Sequence, residues 1–318
     1  MGFHFGFIVA LFCLGVVGSC HASMTAELYW KSVFPNTPMP KSFQVLLRPL
    51  NKNNFVKLKD DMVLGTTTCI GIQNNPGAEF KSADLEDFNG NHGLKSGSLL
   101  NSSANIFFFE SDLHPGRLMK LLEEVTMIKN KATFLPRAVT ESMPFSSNKF
   151  FDILKLFSMD PKSARAKMMK QSIENCERES IEGEDKYCAT SLESLIDNSV
   201  SRLGKNIQVL STEVEKETKT GEFTISKGVK NMGEKEIVCH TLKYPYAVFL
   251  CHSIDKTDVY KVPLIGSDGT KVKAIALCHK DTSTWNPRHF AFQFLKVKPG
   301  SVPICHFLAK ESIVWVPN

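Results

Sequence analysis

The pattern of apolar and polar residues changes its period along the chain, and each change predicts a different kind of element. The run IFFF at 106–109 is apolar and aromatic, and the turn residues ESDLHPG follow it directly. A short apolar run bounded by a turn is typical of a buried strand. The pattern at 115–128 fits a strand and a helix equally well, so the sequence leaves that segment open.

Helical signals dominate the middle of the chain. Asp160 followed by Pro161 places a capping acid before a first-turn proline, which predicts a helix through PKSARAKMMKQSIENC. Thr190 and Glu193 have the spacing of a capping box before SLESLIDNSVSRL, and Gly204 is suited to end that helix.

After Gly204 the period becomes two, and β-branched residues become common. The stretches IQVLSTEV, GEFTISKGV, EIVCHTL, SVPICHFL and SIVWVP all predict strands. The stretch VYKVPLIGSDGTKVKAIALCH has Asp268-Gly269 at its centre, which predicts a hairpin. Helices followed by strands predict an α+β fold, in which a helical first half of the domain packs on an antiparallel β region.

The first residues predict export. The apolar run from Gly6 to Val17 is too short to span a membrane comfortably, and small residues follow it up to Ala22. We therefore predict a secretory signal peptide at 1–22, with an anchored N-terminal helix as the alternative. No later stretch reaches transmembrane length.

Residues 23–105 differ from the domain that follows at 106–318. Their first part, YWKSVFPNTPMPKSFQVLLRPL, is spaced by prolines, which favour extended or turning chain over long helices. Their second part is polar and shows no strong period, so we predict a variable linker. Asn101 begins the sequon Asn-Ser-Ser and is a predicted glycosylation site.

Composition adds one exclusion. The 318-residue chain is 42% hydrophobic and 22% charged, which is an ordinary balance for a globular protein with a sizeable core. Its net charge of +5 is scattered, with no run of Lys and Arg. A nucleic-acid partner is therefore not expected.

Cysteine usage agrees with an oxidising compartment. Removal of the signal peptide would take two of the nine cysteines, and an odd number would remain. Cys69 is the expected unpaired one, because it lies in a polar stretch away from the others. Cys176 and Cys188 flank the acidic stretch ERESIEGEDKY, which we expect to be a loop between two helices; a disulfide there would fix the angle between the helices and stabilise the fold by about 3 kcal/mol. A cation site at Glu182, Glu184 and Asp185 is the alternative to a solvated charge run there.

The candidate chemistry lies in four Cys-His dipeptides with the spacing CH-x10-CH-x25-CH-x25-CH. They are Cys239-His240, Cys251-His252, Cys278-His279 and Cys305-His306. Neighbouring side chains of a strand point to opposite faces, so sulfur and imidazole should separate. A chain reversal near Pro245 would bring Cys239 opposite Cys251, at a distance that suits a disulfide. The connectivity stays open, because four cysteines allow three pairings.

Three interpretations of these pairs compete. In the first, the cysteines form disulfides and the histidines bind a metal. In the second, Cys and His together bind zinc; in the third, all eight residues are structural. If histidines alone bind, Cu(II) is the expected metal, since imidazole suits it and it heads the affinity order of divalent ions. Asp281, Trp285 and His289 follow the third pair closely and are candidate neighbours of the site.

At this point the residues resemble a known family. The Cys-His array, together with FFFESDLHPG, FLPRAVTESMPFSS, CERESIEGEDKYCATSLESLID, YPYAVFLCH, LCHKDTSTWN and VPICHFL, resembles the plant BURP domain over about 106–318. The stretch YWKSVFPNTPMPKSF resembles the start of the unknown-seed-protein branch, also called embryonic abundant proteins. The resemblance implies a flowering-plant source.

The resemblance also implies a function that spacing does not show. Some BURP-domain proteins are copper-dependent peptide cyclases, which oxidatively crosslink a Tyr or Trp side chain of a core peptide. Carried over by motif, the copper ligands would be His240, His252, His279 and His306, and Cys239, Cys251, Cys278 and Cys305 would be cysteines of the fold. Other members are a non-catalytic subunit of a cell-wall polygalacturonase, dehydration-responsive proteins, and seed proteins of storage vacuoles or the cell wall.

This chain departs from the self-cyclising members. It contains no Gln-Pro dipeptide and no core repeats, and Trp30, beside Tyr29, is the only Trp before the domain. We therefore expect a seed or stress-associated protein of the apoplast, cell wall or storage vacuole, with cell-wall polysaccharide, wall proteins or a substrate peptide as partners. The alternatives are a copper-dependent cyclase acting on a peptide in trans, and a metal-sequestering or structural wall protein.

Overall fold

The computed structural model describes residues 25–47, 104–128 and 132–318. The predicted signal peptide at 1–22, the sequon at Asn101, Cys69 and most of the linker lie outside the described residues. No helix within these described ranges is long and apolar enough to cross a membrane.

Eight α-helices occur in the described residues, most of them short. They are α1 (Ala26–Val33), α2 (Lys41–Leu46), α3 (Glu123–Thr126), α4 (Arg137–Thr140), α5 (Phe150–Leu156), α6 (Ala164–Glu177), α7 (Leu192–Leu203) and α8 (Phe290–Leu295). Short 3₁₀ turns lie at Glu110–Asp112 and Ser147–Lys149.

Thirteen strands occur in the same part of the chain. They are β1 (Phe108–Phe109), β2 (Leu118–Lys120), β3 (Glu184–Ala189), β4 (Ile207–Leu210), β5 (Glu213–Val214), β6 (Glu222–Ile225), β7 (Lys230–Asn231), β8 (Ile237–Thr241), β9 (Phe249–Ile254), β10 (Thr257–Gly266), β11 (Lys271–His279), β12 (Ile304–Phe307) and β13 (Ile313–Pro317). The segment that the sequence left open contains both β2 and α3.

The strands form two antiparallel sheets. The larger sheet has eight strands in the order β1-β12-β11-β10-β6-β2, with β5 added to β11 and β7 to β10. The smaller sheet has five strands in the order β3-β9-β8-β13-β4. Mixed helices and antiparallel sheets confirm the predicted α+β fold.

Apolar side chains from the two sheets meet in a shared core. Val238 and Val314 of the smaller sheet belong to one buried cluster with Val259, Ile275 and Leu277 of the larger sheet. Each sheet carries a second core on its other face, because alternate residues of a strand point in opposite directions. Helix α7 packs into the second core of the smaller sheet through residues such as Leu195 and Ile196.

The predicted hairpin is confirmed. Strands β10 and β11 pair antiparallel from Thr257 opposite His279 to Ile265 opposite Lys271. Gly269 lies in the turn with a φ of +80°, a conformation that glycine adopts without steric cost.

Both predicted helix starts are wrong by one to three residues. Helix α6 is capped by Ser163, whose hydroxyl accepts from Ala166 N, while Asp160 accepts from Lys162 N in a turn that precedes the helix. Helix α7 is capped by Ser191, whose box partner is Ser194. Serine caps a helix about as effectively as the aspartate and the threonine that the sequence suggested.

The acidic stretch between Cys176 and Cys188 is not an open loop between two helices. Cys176 lies in α6, but Cys188 lies in β3, so their disulfide joins a helix to the edge strand of the smaller sheet. The sequence did not predict this strand, because acidic residues are uncommon in strands and its partner, β9, lies far along the chain.

The proline-spaced N-terminal segment is packed on the domain. It forms α1 and α2, and it buries Trp30, Phe34 and Phe43 against Trp315 of β13 with ring centroids about 6 Å apart. Tyr29 donates its hydroxyl hydrogen to Asp197 of α7. Both helices are short, which confirms the prediction that this segment forms no long helix.

Candidate metal centre

The sulfurs of the four Cys-His pairs lie in disulfides. Cys239 of β8 stands directly opposite Cys251 of β9, and Cys278 of β11 stands directly opposite Cys305 of β12. Both pairs are bonded, with Cα atoms 4.0 Å apart. This settles the open connectivity and leaves no thiolate of these pairs for a mixed Cys and His zinc site.

The imidazoles lie on the opposite face of each sheet and also form two pairs. Nε2 of His240 lies 3.2 Å from Nε2 of His252 on the smaller sheet. Nε2 of His279 lies 3.4 Å from Nε2 of His306 on the larger sheet. Alternation along the strands thus separates sulfur from nitrogen on both sheets, because each Cys and its His are consecutive residues of one strand.

Both imidazole pairs line one central cavity of about 230 Å³. Its wall also includes Trp285, His289 and the carboxyl group of Glu236. The Trp285 ring lies 5.0 Å from the His279 ring and 4.7 Å from the His289 ring, centroid to centroid. Two of the three neighbours named from the sequence, Trp285 and His289, are therefore beside the histidines.

The third neighbour, Asp281, is directed elsewhere. Its carboxylate accepts from Lys256 Nζ at 2.8 Å and from Ser283 N at 3.0 Å. It does not line the cavity. Asp281 thus closes an Asp-Thr-Ser turn and does not orient an imidazole.

Three of the paired histidines are held at their Nδ1 atoms by side chains from other strands or loops. Nδ1 of His252 lies 2.9 Å from Oε1 of Glu184, at the start of β3. Nδ1 of His240 lies 3.2 Å from the Ser312 hydroxyl, and Nδ1 of His279 lies 2.9 Å from the Thr257 hydroxyl. Such contacts fix the orientation of an imidazole and leave its Nε2 directed towards the cavity.

Burial lowers the pKa of two cavity histidines, His279 and His289. Burial, reinforced by the neighbouring imidazoles, holds the pKa of His279 well below its ordinary value. Burial lowers the pKa of His289 to about 4. A neutral ring has a nitrogen lone pair available for a metal, since protonation would occupy it.

A buried carboxyl group shares the cavity. Burial raises the pKa of Glu236 to about 8, and repulsion from Asp255 and Asp258 acts in the same direction. Its Oε1 accepts a hydrogen bond from Ile254 N at 3.3 Å. The group is therefore mainly protonated at neutral pH.

The nitrogen atoms of each pair have a spacing that suits a shared metal ion. Two nitrogens bound at about 2.0 Å to one ion lie roughly 2.8 Å apart at a square-planar angle and roughly 3.3 Å apart at a tetrahedral angle, and the observed separations are at the upper end of that range. Within the described ranges, however, no group of three or more His, Cys, Asp or Glu side chains is arranged around one point. The histidines fit a metal as two half-sites of two nitrogens each, and the four-histidine site stays a prediction.

Sequence reasoning missed the groups that hold the histidines. The sequence suggests Glu184 only as part of a surface cation site, and it suggests no role for Ser312 or Thr257. Their partners lie 68, 72 and 22 residues away along the chain. Glu184 and Ser312 carry no local signal, because only long-range packing of the chain brings them to their histidines, whereas the pairing of Thr257 with His279 follows from the predicted hairpin.

Comparison with known proteins identifies relatives along most of the chain. Residues 106–317 match the family model of the BURP domain. The chain is 49% identical over 218 residues to BURP domain protein RD22 of Arabidopsis thaliana. This match covers 67% of this chain and 56% of that protein. It is 37% identical over 308 residues to BURP domain-containing protein 5 of Oryza sativa subsp. japonica, covering 94% of this chain and 89% of that protein. It is 31% identical over 315 residues to unknown seed protein USP of Vicia faba, covering 98% of this chain and 94% of that protein.

Proposed function

The chain belongs to the BURP-domain family, and we propose that it is an exported, seed or stress-associated plant protein that binds copper at the central cavity. The proposed ligands are His240, His252, His279 and His306. The observation that carries the proposal is the pairing of four imidazole nitrogens, at 3.2 and 3.4 Å, on the wall of one cavity.

Export is supported by the three disulfides, because disulfides persist in oxidising compartments. The similarity to an unknown seed protein along nearly the whole chain favours a seed role. The proposed destination is the apoplast, the cell wall or a protein storage vacuole.

Copper is favoured over other metals by the kind of donor available. The disulfides withdraw the thiolates, which leaves nitrogen donors. Imidazole suits copper, and among divalent first-row ions copper(II) binds such donors most tightly. Copper bound here would supply one-electron oxidation chemistry.

A second candidate function is favoured by the cavity itself. A structural metal site is usually closed, whereas a catalytic site keeps room for a substrate beside the ligands. The cavity has that room, so oxidative crosslinking of a Tyr or Trp side chain of a peptide is the enzymatic candidate. The peptide would be supplied in trans, because Trp30 is buried in the aromatic cluster with Trp315 and does not line the cavity.

Copper titration of the purified, disulfide-bonded chain tests the proposal. We expect the protein to retain copper after dialysis, and the double variant H279N/H306N to retain less. The matched control is His114→Asn, because His114 is exposed and lies outside the cavity. Equal copper retention by all three proteins would contradict the proposal.

Mass spectrometry then separates the two candidates. The copper-loaded protein is incubated in air with peptides that contain Tyr or Trp, and dioxygen serves as the oxidant. A product that has lost two hydrogen atoms per crosslink indicates the cyclase. Retained copper without product indicates sequestration, and a protein without copper indicates a structural role in the wall.

A further inference from the structure

The carboxyl group of Glu184 is buried, although the acidic stretch around it is typical of a charged surface exposed to solvent. Its side chain is 1% exposed, whereas Glu182 is exposed and the side chain of Asp185 is 56% exposed where it pairs with Arg202. Charged groups are almost never buried to this degree unless they are paired. A buried carboxylate therefore needs hydrogen-bonding partners, and Glu184 has two.

Both carboxylate oxygens of Glu184 are used. Oε1 lies 2.9 Å from Nδ1 of His252, and Oε2 accepts from Ile181 N at 3.1 Å. The pairing of β3 with β9 sets the first contact, since Lys186 stands opposite His252 and Glu184 opposite Ile254. Both oxygens thus face N–H donors, the arrangement of a carboxylate that accepts on each of its oxygens.

An ionised carboxylate only accepts hydrogen bonds, so a His252 ring that carries one proton carries it on Nδ1. The lone pair of His252 is then on Nε2, 3.2 Å from Nε2 of His240. In the metal-free protein, His240 must donate across that contact. Its Nδ1 accepts in turn from the Ser312 hydroxyl, 3.2 Å away.

We infer that Glu184 is a positioning residue, which holds His252 in the Nδ1-protonated tautomer with its Nε2 lone pair presented to the cavity. The other two Nδ1 contacts differ in kind. Ser312 and Thr257 offer hydroxyl groups, which can turn to donate or to accept. His252 is thus fixed in the form a metal requires, whereas His240 must move its proton from Nε2 to Nδ1 when both nitrogens bind one ion.

Replacement of Glu184 by glutamine should reverse the preference. The Gln oxygen is needed by Ile181 N–H, which turns the Gln amide nitrogen towards His252. An amide N–H donates, so it favours a ring whose Nδ1 carries the lone pair and whose Nε2 carries the proton. The steric change is minimal, because the two side chains have nearly the same shape.

The tautomer can be measured directly in the metal-free, full-length protein. Two-bond ¹H–¹⁵N correlation spectra of ¹⁵N-histidine-labelled protein report which ring nitrogen carries the proton, and the His252 signals are assigned by their loss in H252N. We expect Nδ1–H in the wild type and in the control Glu182→Gln, and a shift towards Nε2–H in Glu184→Gln. A wild-type His252 protonated on Nε2 would overturn the inference without the need for any variant to fold.

The consequence for copper rests on the proposed function and is tested separately, by competition titration against a chelator. We expect Glu184→Gln to weaken copper binding roughly 10- to 100-fold, the range usual for loss of a group that orients a metal-binding histidine. Glu182→Gln should bind as the wild type does. Equal affinity of Glu184→Gln and wild type would overturn the positioning role, whereas a wild type that binds no copper would overturn the proposed function and leave the tautomer result standing.

Discussion

At the scale of single residues, Trp285 reports on the cavity. Of the three tryptophans and five tyrosines of the chain, all of which are described, Trp285 alone lines the cavity. Its Nε1 is buried and has no hydrogen-bond partner among the described residues. Its ring is thus the tryptophan or tyrosine ring that a metal at His279 would affect most.

We predict that copper quenches the fluorescence of Trp285 and that W285F loses most of this quenching. The control is W315F, because Trp315 is fully buried in the core against Trp30 and does not line the cavity. Fluorescence titration with Cu(II) makes the measurement. Undiminished quenching in W285F would place the metal elsewhere.

Glu236 makes stability depend on pH. Its pKa is about 8 in the folded protein and ordinary in the unfolded chain, so folding favours the protonated group. This contribution is fully present below about pH 4.5 and is lost as the pH rises through about 8, with a slope of at most about 1.4 kcal/mol per pH unit. We predict that E236Q removes this slope, as measured by urea unfolding at pH 5 and pH 8. The control is E182Q, and an unchanged pH dependence in E236Q would contradict the assignment.

How far the sequence predicts these residues depends on the range of the interaction. Alternation along a strand is local, so the opposite faces of Cys239 and His240 follow from their being neighbours. The pairing of Cys239 with Cys251 is also short in range, since a reversal near Pro245 suffices. Glu184 could not be found in this way, because its role depends on which strand β3 pairs with.

At the scale of elements, two disulfides of equal loop size can be compared. Cys176–Cys188 and Cys239–Cys251 both span a separation of 12 residues. Only the second lies directly behind a histidine pair, because His240 and His252 follow its cysteines on β8 and β9. The first joins α6 to β3 at the edge of the sheet.

We predict that C239A/C251A and C176A/C188A each lower the free energy of unfolding by about 3 kcal/mol, since the chain entropy released is similar. Copper affinity should fall much more in C239A/C251A, where the two histidine strands lose their covalent link. Denaturant unfolding and copper competition test the pair of variants. Equal copper affinity in both would show that the disulfide does not set the histidine spacing.

Element boundaries were the weaker part of the prediction. The serines that cap α6 and α7 lie within three residues of the acid and the threonine chosen from the sequence, and all of these residue types make good caps. The choice among them is made by packing. Ser191 is fully buried, as are Leu192 and Leu195 of the helix that it caps, so the position of this apolar face fixes where the helix begins.

At the scale of the whole molecule, the N-terminal segment is part of the core. Trp30 packs against Phe34, Phe43 and Trp315, and its Nε1 donates to Thr37 O at 2.8 Å. We predict that W30A lowers the free energy of unfolding by about 3–5 kcal/mol, because it leaves a large cavity in this cluster.

The matched control for W30A is L28A on the same helix. Leu28 is 54% exposed, so its loss should change stability by no more than about 0.5 kcal/mol. Denaturant unfolding of both variants makes the comparison. Equal stability of W30A and L28A would show that α1 is not docked on the domain in solution.

The division of the strands between two sheets lay beyond sequence reasoning. Two Cys-His pairs lie on the larger sheet and two on the smaller sheet, and the histidines of both sheets line the same cavity. Strand order is fixed by long-range pairing such as β13 between β8 and β4, for which the chain carries no local mark.

The separation of sulfur from imidazole by a layer of backbone has a consequence for the order of maturation. Before the strands pair, eight thiol and imidazole groups of one chain compete for any copper that they meet, and soft thiolates bind Cu(I) well. Once β8 has paired with β9 and β11 with β12, the sulfurs lie in disulfides on the face of each sheet opposite the histidines. For the proposed copper site, this order predicts that disulfide formation precedes metal loading, so that copper would bind only after the strands have paired.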